Sequence, residues 1–300
     1  MSKRLAGVLG PVVTTFDAET GDLAPVAFRA NLRAHVAQGL AGVVLCGSTG
    51  EAPLLDDAER ARLVEWARDV VPGDRWLIAG TGAESTRGTI ARSRDAAERG
   101  ADAVLVLPPH FFGAAMTAEA LATHYRRVAD ASPVPVLLYN MPKYTHLTLD
   151  PGLVHELSGH GNVVGMKDSS GDLKQLGAYL GAQSDRFAVL TGNGGTLYAA
   201  LEMGARGGIL AVALFAGALA VEVYTARERG ELARAGRAQE RLQSLNKEIV
   251  AGLGVPGVKA AMDAMGLHGG APRPPLLPLR EQKRERVAEL LARSGAASAV

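Results

Sequence analysis

The chain has one cysteine, Cys46, in 300 residues. An intrachain disulfide framework and a cysteine metal cluster are therefore excluded. Net charge is also missing: 32 lysines and arginines stand against 31 aspartates and glutamates. Bulk electrostatics thus give no reason to expect a nucleic-acid or acidic-membrane partner. No long hydrophobic run is present. The longest apolar stretch, Gly207 to Val221, is 15 residues, short of the roughly 18 to 20 needed to span a bilayer. Its opening glycines suit a buried strand passing into a helix. No secretory leader is evident, because Met1-Ser2-Lys3-Arg4 leads within a few residues into a strand-like segment, Gly7 to Thr15. No His-x-x-x-His and no carboxylate cluster follows a strand, so no metal is expected. The reading is of a soluble cytoplasmic chain that works without a cofactor.

What the chain does have is 47% apolar residues in a regular rhythm. Short apolar runs occur at Val8–Val13, Val43–Cys46, Trp76–Ala79, Ala103–Leu107, Val134–Tyr139, Val163–Met166, Ala188–Leu190 and Gly208–Val212. Their length and β-branched content predict strands buried on both faces. Amphipathic stretches lie between most of them, among them Asp57–Val70, Thr86–Arg99 after Ser85, and Thr117–Ala129 with Thr117 as a cap candidate. A weak repeat recurs at Gln38–Gly42, Arg99–Asp102 and Met203–Arg206, where glycine ends a helix and a tight turn feeds a strand. Strand and helix alternating in this way predict parallel strands joined by right-handed crossovers. Eight such units make an α/β fold, the (β/α)8 TIM barrel. An open doubly wound sheet is the alternative, disfavoured because no Gly-x-Gly-x-x-Gly follows the first run. Residues 1–226 are expected to form the barrel and residues 227–300 a C-terminal helical extension. In that extension Arg227–Leu253 reads as one long polar-faced helix. Shorter helices are expected at Gly257–Met265 and Leu279–Ala292, on either side of the proline-rich Ala271–Pro278. The tail, Ser294–Val300, is expected to fray.

Barrel active sites lie at the C-terminal strand ends, so the residues after each run are the candidates. Lys167 ends an apolar strand. Desolvation there would disfavour the ammonium form, and a neutral amine can attack a ketone to form an iminium, an electron sink for cleaving a C–C bond. The alternative is a strand-end lysine reaching water or pairing with Asp168. Tyr139 ends the preceding strand and could move a proton, or could be a core tyrosine bonded to the backbone. Gly47-Ser48-Thr49-Gly50-Glu51 offers hydroxyls and backbone N–H groups that suit a carboxylate, or is simply a turn with a cap. Thr191–Gly195 is glycine-rich but has no neighbouring lysine, which favours carboxylate or backbone contacts over phosphate.

Taken together, Gly47–Glu51, Tyr139-Asn140-Met141-Pro142 and Gly165-Met166-Lys167-Asp168-Ser169 resemble the dihydrodipicolinate synthase / N-acetylneuraminate lyase superfamily over about residues 6 to 293. Ala83-Glu84-Ser85-Thr86, Val164–Asp172 and Gly254–Lys259 look most like 4-hydroxy-2-oxoglutarate aldolase. The resemblance implies that Lys167 is the Schiff-base lysine, Tyr139 the general acid/base, and Ser48 and Thr49 the holders of a pyruvate carboxylate, with Ser48 also relaying a proton. It implies that Gly192 and Ile209 line the pocket, that the substrate is a small 2-oxo acid, and that the protein is a homotetramer.

Two positions depart from the family pattern. Phe111 stands where the family usually has a tyrosine reaching into the neighbouring subunit's site, which breaks a tyrosine–hydroxyl–tyrosine proton relay. Tyr144 stands where the lysine-pathway synthases carry an arginine for the aldehyde substrate's carboxylate. Lys143 and His146 are the cationic candidates nearby. The leading expectation is retro-aldol cleavage of 4-hydroxy-2-oxoglutarate or a 2-keto-3-deoxy sugar acid. Dihydrodipicolinate synthase is the alternative, and a non-catalytic 2-oxo-acid-binding protein is the alternative of another class. Cys46 is expected to be a buried thiol, His110 to face solvent or an interface, and Met141 and Met166 to be core residues.

Overall fold

The computed structural model describes residues 3–295. Eight parallel strands close into a barrel in chain order, with β1 beside β8. They are β1 (Gly7–Pro11), β2 (Gly42–Leu45), β3 (Trp76–Gly80), β4 (Ala103–Val106), β5 (Val136–Asn140), β6 (Val163–Asp168), β7 (Ala188–Thr191) and β8 (Gly207–Ile209). Successive side chains point to opposite faces. Leu9, Val44, Ile78, Leu105, Leu137, Leu190 and Ile209 therefore fill the interior. Their neighbours Val8, Val43, Leu77, Val104, Leu138, Met166 and Val189 form the core that packs under the helices. Each such side chain contributes about 1.5–3 kcal/mol by leaving water, which is why every strand lacks a polar face.

The helices that follow β1 to β4 are α1 (Pro25–Ala37), α2 (Asp57–Arg68), α3 (Thr86–Glu98) and α4 (Ala118–Ala131). After β5 come a short α5 (Pro142–Thr145) and α6 (Pro151–Ser158). Then follow α7 (Leu173–Leu180), α8 (Leu197–Glu202) and α9 (Gly217–Glu228). Side-chain caps open several of them. Asp56 and Glu59 form a capping box on α2, Ser85 accepts from Gly88 N, and Thr117 accepts from Ala120 N. Gly39, Gly100 and Gly204 take φ of 85°, 97° and 107° just beyond their helices, so the repeat seen in the sequence is a set of left-handed helix ends.

Two expectations about elements are corrected. The last strand stops at Ile209, and Ala211–Leu214 is a 3-10 turn. Arg227–Leu253 is not one helix. Gly230 (φ 74°) separates α9 from α10 (Leu232–Leu245), which runs on through a π-helical turn, Asn246–Ala251, into α11 (Gly252–Ala264). Gly254 (φ 63°, ψ −150°) bends α11 just before Pro256, which has no N–H to continue the ladder. The last helix, α12, spans Glu281–Ser294. Of the segment expected to fray, Ser294 closes α12, and residues 296–300 lie outside the described residues. Among the described residues no helix is long and apolar enough to cross a membrane.

His35 on α1 is fully buried, and among the described residues neither ring nitrogen has a hydrogen-bond partner. Burial pulls its pKa down to about 4. Burial does the same to His124, against an opposing pull from Glu84. The folded state excludes a proton that the unfolded chain binds. The stability that the neutral rings contribute is thus present above pH 6.5 and lost as pH falls through 4. For His35 this is on the order of 3 kcal/mol. Denaturant unfolding at pH 7.5 and pH 4.5 should show a large loss at the lower pH, and His35→Leu should shrink that loss. An unchanged pH dependence in the variant would contradict the assignment.

Candidate active site

Tyr139 on β5 and Lys167 on β6 are register neighbours, so both side chains project from the same level of the barrel. Each is 5% exposed. Lys167 Nζ donates to Tyr139 Oη at 3.3 Å and lies 4.4 Å from the ring centroid. Ser48 Oγ stands 3.5 Å from the same phenol oxygen. Asp168 points the other way, accepting from Asn140 Nδ2 at 2.8 Å and Ser170 Oγ at 2.7 Å. The lysine therefore neither reaches bulk water nor pairs with Asp168, and among the described residues it has no carboxylate partner. Likewise the Tyr139 hydroxyl meets side chains of the site. Burial raises the phenol pKa. The positive charge of Lys167 and hydrogen bonds with Ser48, Ser169 and Lys167 outweigh it, leaving Tyr139 below the usual tyrosine range.

These groups face a cavity of about 260 Å³ at the C-terminal mouth of the barrel. Ser48, Thr49, Gly192, Ile209, Lys143 and Tyr144 line it, as does Met141, which was expected to be core. The loop carrying Ser48 and Thr49 is bracketed by Cys46 (φ 51°) and Glu51 (φ 57°), two non-glycine residues in the left-handed region. Such residues persist only where surrounding structure holds them. Thr14 Oγ1 donates to Gly50 O at 2.6 Å and ties the loop down. Gly192 is needed for space: a Cβ there would collide with Ser169 Oγ and sit 3.0 Å from Lys167 Cε. Cys46 is a buried thiol whose pKa burial raises to about 11, and Met166 is core.

Two candidates do not line this cavity within the chain, and the Phe111 position is the one that the resemblance directs into a neighbouring subunit's site. Phe111 is 77% exposed and does not line this cavity; it stacks edge-on with Phe112, ring centroids 5.0 Å apart. Its backbone, like that of His110, donates to Glu84, which fixes this turn. His146 is exposed at the end of α5 in a left-handed conformation (φ 55°) and does not line the cavity either. His110 pairs with Glu84 at 3.0 Å.

Sequence reasoning missed one wall. Asn246 and Val250 on the π-helical turn, and Gly254, Val255 and Val258 on α11, close the mouth from above. Asn246 Nδ2 donates to Asn193 Oδ1 at 2.9 Å, joining this wall to the loop after β7. The available signal was Gly254-Val255-Pro256-Gly257, a helix-breaking string inside an apolar helix. A larger cavity, about 400 Å³, lies outside the barrel between α2 and α3. Two of its three arginines are paired with carboxylates, Arg92 with Asp57 and Arg99 with Asp95, and it holds no amine–phenol pair. Among the described residues no group of three or more His, Cys, Asp or Glu side chains could hold a metal ion.

The family model of the dihydrodipicolinate synthetase family matches residues 4–294. The chain belongs to this family. One relative, the 4-hydroxy-tetrahydrodipicolinate synthase of Thermodesulfovibrio yellowstonii, is 32% identical over 289 residues, covering 96% of this chain and 98% of the relative. The solved dihydrodipicolinate synthase of Thermotoga maritima superposes with a TM-score of 0.92 at 28% identity, covering 98% and 99% of the two chains. YagE, an Escherichia coli K12 prophage protein of the dihydrodipicolinic acid synthase family solved with pyruvate, gives 0.91 at 28% identity, covering 98% and 99%. Membership in an enzyme family of aldolases and lyases, and the barrel itself, agree with the motifs.

The Lys167 charge is the foremost influence lowering the Tyr139 phenol. Lys167→Met should therefore raise that pKa. Tyrosine-selective carbon NMR, with Tyr139→Phe to assign the resonance, checks the direction. An unmoved titration would mean that the two groups are not coupled.

Proposed function

We propose that this chain is a class I aldolase or lyase that binds a pyruvate-type 2-oxo acid as a Schiff base on Lys167. The observation that carries the proposal is a lysine buried without a carboxylate partner and hydrogen-bonded to a buried tyrosine. A lysine so placed serves through its amine. Lys167 Nζ attacks the C2 ketone, and the carbinolamine loses water to give an iminium. Tyr139 takes the proton of the C4 hydroxyl. The C3–C4 bond breaks, its electrons pass into the iminium, and an aldehyde leaves. The enamine regains a proton at C3, and water releases pyruvate and the free amine. The reverse sequence joins pyruvate to an aldehyde. Ser48 and Thr49 hold the carboxylate, and Ser48 passes protons to and from Tyr139. The iminium is the electron sink, so the scheme uses no metal or cofactor.

The names of the matched relatives favour condensation, as in 4-hydroxy-tetrahydrodipicolinate synthase, over the hydroxy-oxoglutarate or sugar-acid cleavage suggested by the motifs. Synthase activity is accordingly the first to assay. The opposing observation is the acceptor end of the cavity. There Tyr144 and Lys143 stand beside Ser169, Ser170, Asn193 and Asn246, with no arginine. Such a wall offers hydroxyls and amides to a hydroxylated acceptor. A homotetramer belongs to the same proposal, and the exposed Phe111–Phe112 pair is apolar surface that an assembly would cover. So does a cytoplasmic location.

Borohydride reduction with pyruvate, followed by peptide mass spectrometry, should give an adduct at Lys167 that Lys167→Ala abolishes. Absence of any adduct with pyruvate and related 2-oxo acids would reject the scheme in favour of a binding protein. Tyr139→Phe should keep the adduct while cutting turnover by about 100-fold or more. Gly192→Ala, which drives a methyl into Ser169 and against Lys167, should cut adduct formation by about 100-fold. Pyruvate consumption with a carboxylated amino aldehyde, against pyruvate release from hydroxy-oxo acids, separates synthase from cleavage enzyme.

A further inference from the structure

We propose that Glu51 and Lys259 are positioning residues, an ion pair that locks the substrate-carboxylate loop to the C-terminal wall. The proposal rests on the reading above, in which Ser48 and Thr49 receive the carboxylate.

Lys259 is the second buried lysine, and its surroundings are the opposite of those of Lys167. Its side chain is 1% exposed, that of Glu51 is fully buried, and Nζ stands 2.6 Å from Glu51 Oε1. Burial draws the Lys259 pKa down, and Glu51 opposes it. Nζ also donates to Ala271 O at 3.0 Å. Glu51 Oε2 accepts from Arg273 N at 2.7 Å. Arg273 in turn binds Glu59, Leu54 O and Gly21 O. Phe16 packs against both cations, 4.7 Å from Lys259 Nζ and 4.2 Å from Arg273 Cζ.

The pair sits between the two walls of the cavity. Glu51 is two residues beyond Thr49, and Lys259 immediately follows Val258; both Thr49 and Val258 line the cavity. Glu51 also holds a left-handed backbone (φ 57°) that a non-glycine residue keeps only under constraint. Its side chain supplies that constraint from Lys259 and Arg273. Packing alone does not require charge here, since an apolar pair of similar volume is often no less stable than a buried ion pair. What the charged contact adds, together with the hydrogen bond from Arg273 N to Glu51 Oε2, is a fixed anchor for the Glu51 side chain. Releasing it leaves Lys167 in the barrel, where the strands hold it, and frees the loop that meets the carboxylate.

The test compares two ketones in borohydride trapping at Lys167 of the full chain: pyruvate, and acetone, which has no carboxylate. Folding of each variant is followed by circular dichroism. Glu51→Gln should raise the pyruvate concentration for half-maximal trapping by about 10-fold, while the acetone rate and the maximal pyruvate rate change by less than about 2-fold. The double variant Glu51→Gln/Lys259→Met removes both charges, so it leaves no unpaired ion if the single variant fails to fold. It should show the same selective loss, with an effect well below the sum of the two single effects. Equal losses with both ketones would overturn the proposal in favour of a purely structural pair. An unchanged pyruvate dependence would overturn it too. Wild-type protein trapping neither ketone would instead reject the Schiff-base reading on which the proposal rests.

Discussion

The mouth of this barrel is organised around a lysine amine held out of water against a phenol. Lys167 reaches that position because β6 is buried on both faces and β5 sets Tyr139 beside it in register. The carboxylate next in sequence, Asp168, is turned to the far face and held by Asn140 and Ser170. Alternation along the strand thus separates the two groups. The rest of the site accommodates this choice: Gly192 leaves room for the lysine, and Ser48 completes the contact to Tyr139.

The second buried lysine throws this into relief. Lys259 has a carboxylate at 2.6 Å and is the lysine proposed to hold geometry. Lys167 has a phenol at 3.3 Å and is the lysine proposed to do the chemistry. One chain therefore carries the same side chain in two electrostatic settings, and the difference lies in whether the fold supplies an anion. The cavity is made from both halves of the protein, since Asn246, Val250 and Val258 close what the strand ends open. The C-terminal helices are part of the site.

Much of this was legible in the residues. Runs such as Val43–Cys46 and Ala103–Leu107 could only be strands buried on two faces, and Ser85, Thr117 and the glycines at 39, 100 and 204 marked helix ends with a mechanism. Lys167, Tyr139 and Ser48 were legible as candidates because strand ends are few, while position alone left each open and their roles came from the family resemblance. The C-terminal wall was not. Periodicity tells which face of α10 is apolar but not what it packs against, and nothing local shows that a π-helical turn will aim Asn246 at Asn193. The break at Gly230 was missed because a single glycine inside a helical pattern does not announce its φ. The turn that carries Phe111 is bound to Glu84, a residue in the preceding βα loop, a contact that no local pattern shows. The pairing of Glu51 with Lys259 joins segments far apart in the chain, a contact that only the closed barrel creates.

The most direct test of the account is a crystal structure of the protein reduced in the presence of pyruvate. A Schiff base on Lys167 gives continuous density from Nζ to C2 of the ligand, with the carboxylate on Ser48 and Thr49 and Tyr139 Oη close to the reacting carbons. A ligand bound noncovalently, or a carboxylate seated instead between Lys143 and Asn193, would contradict it.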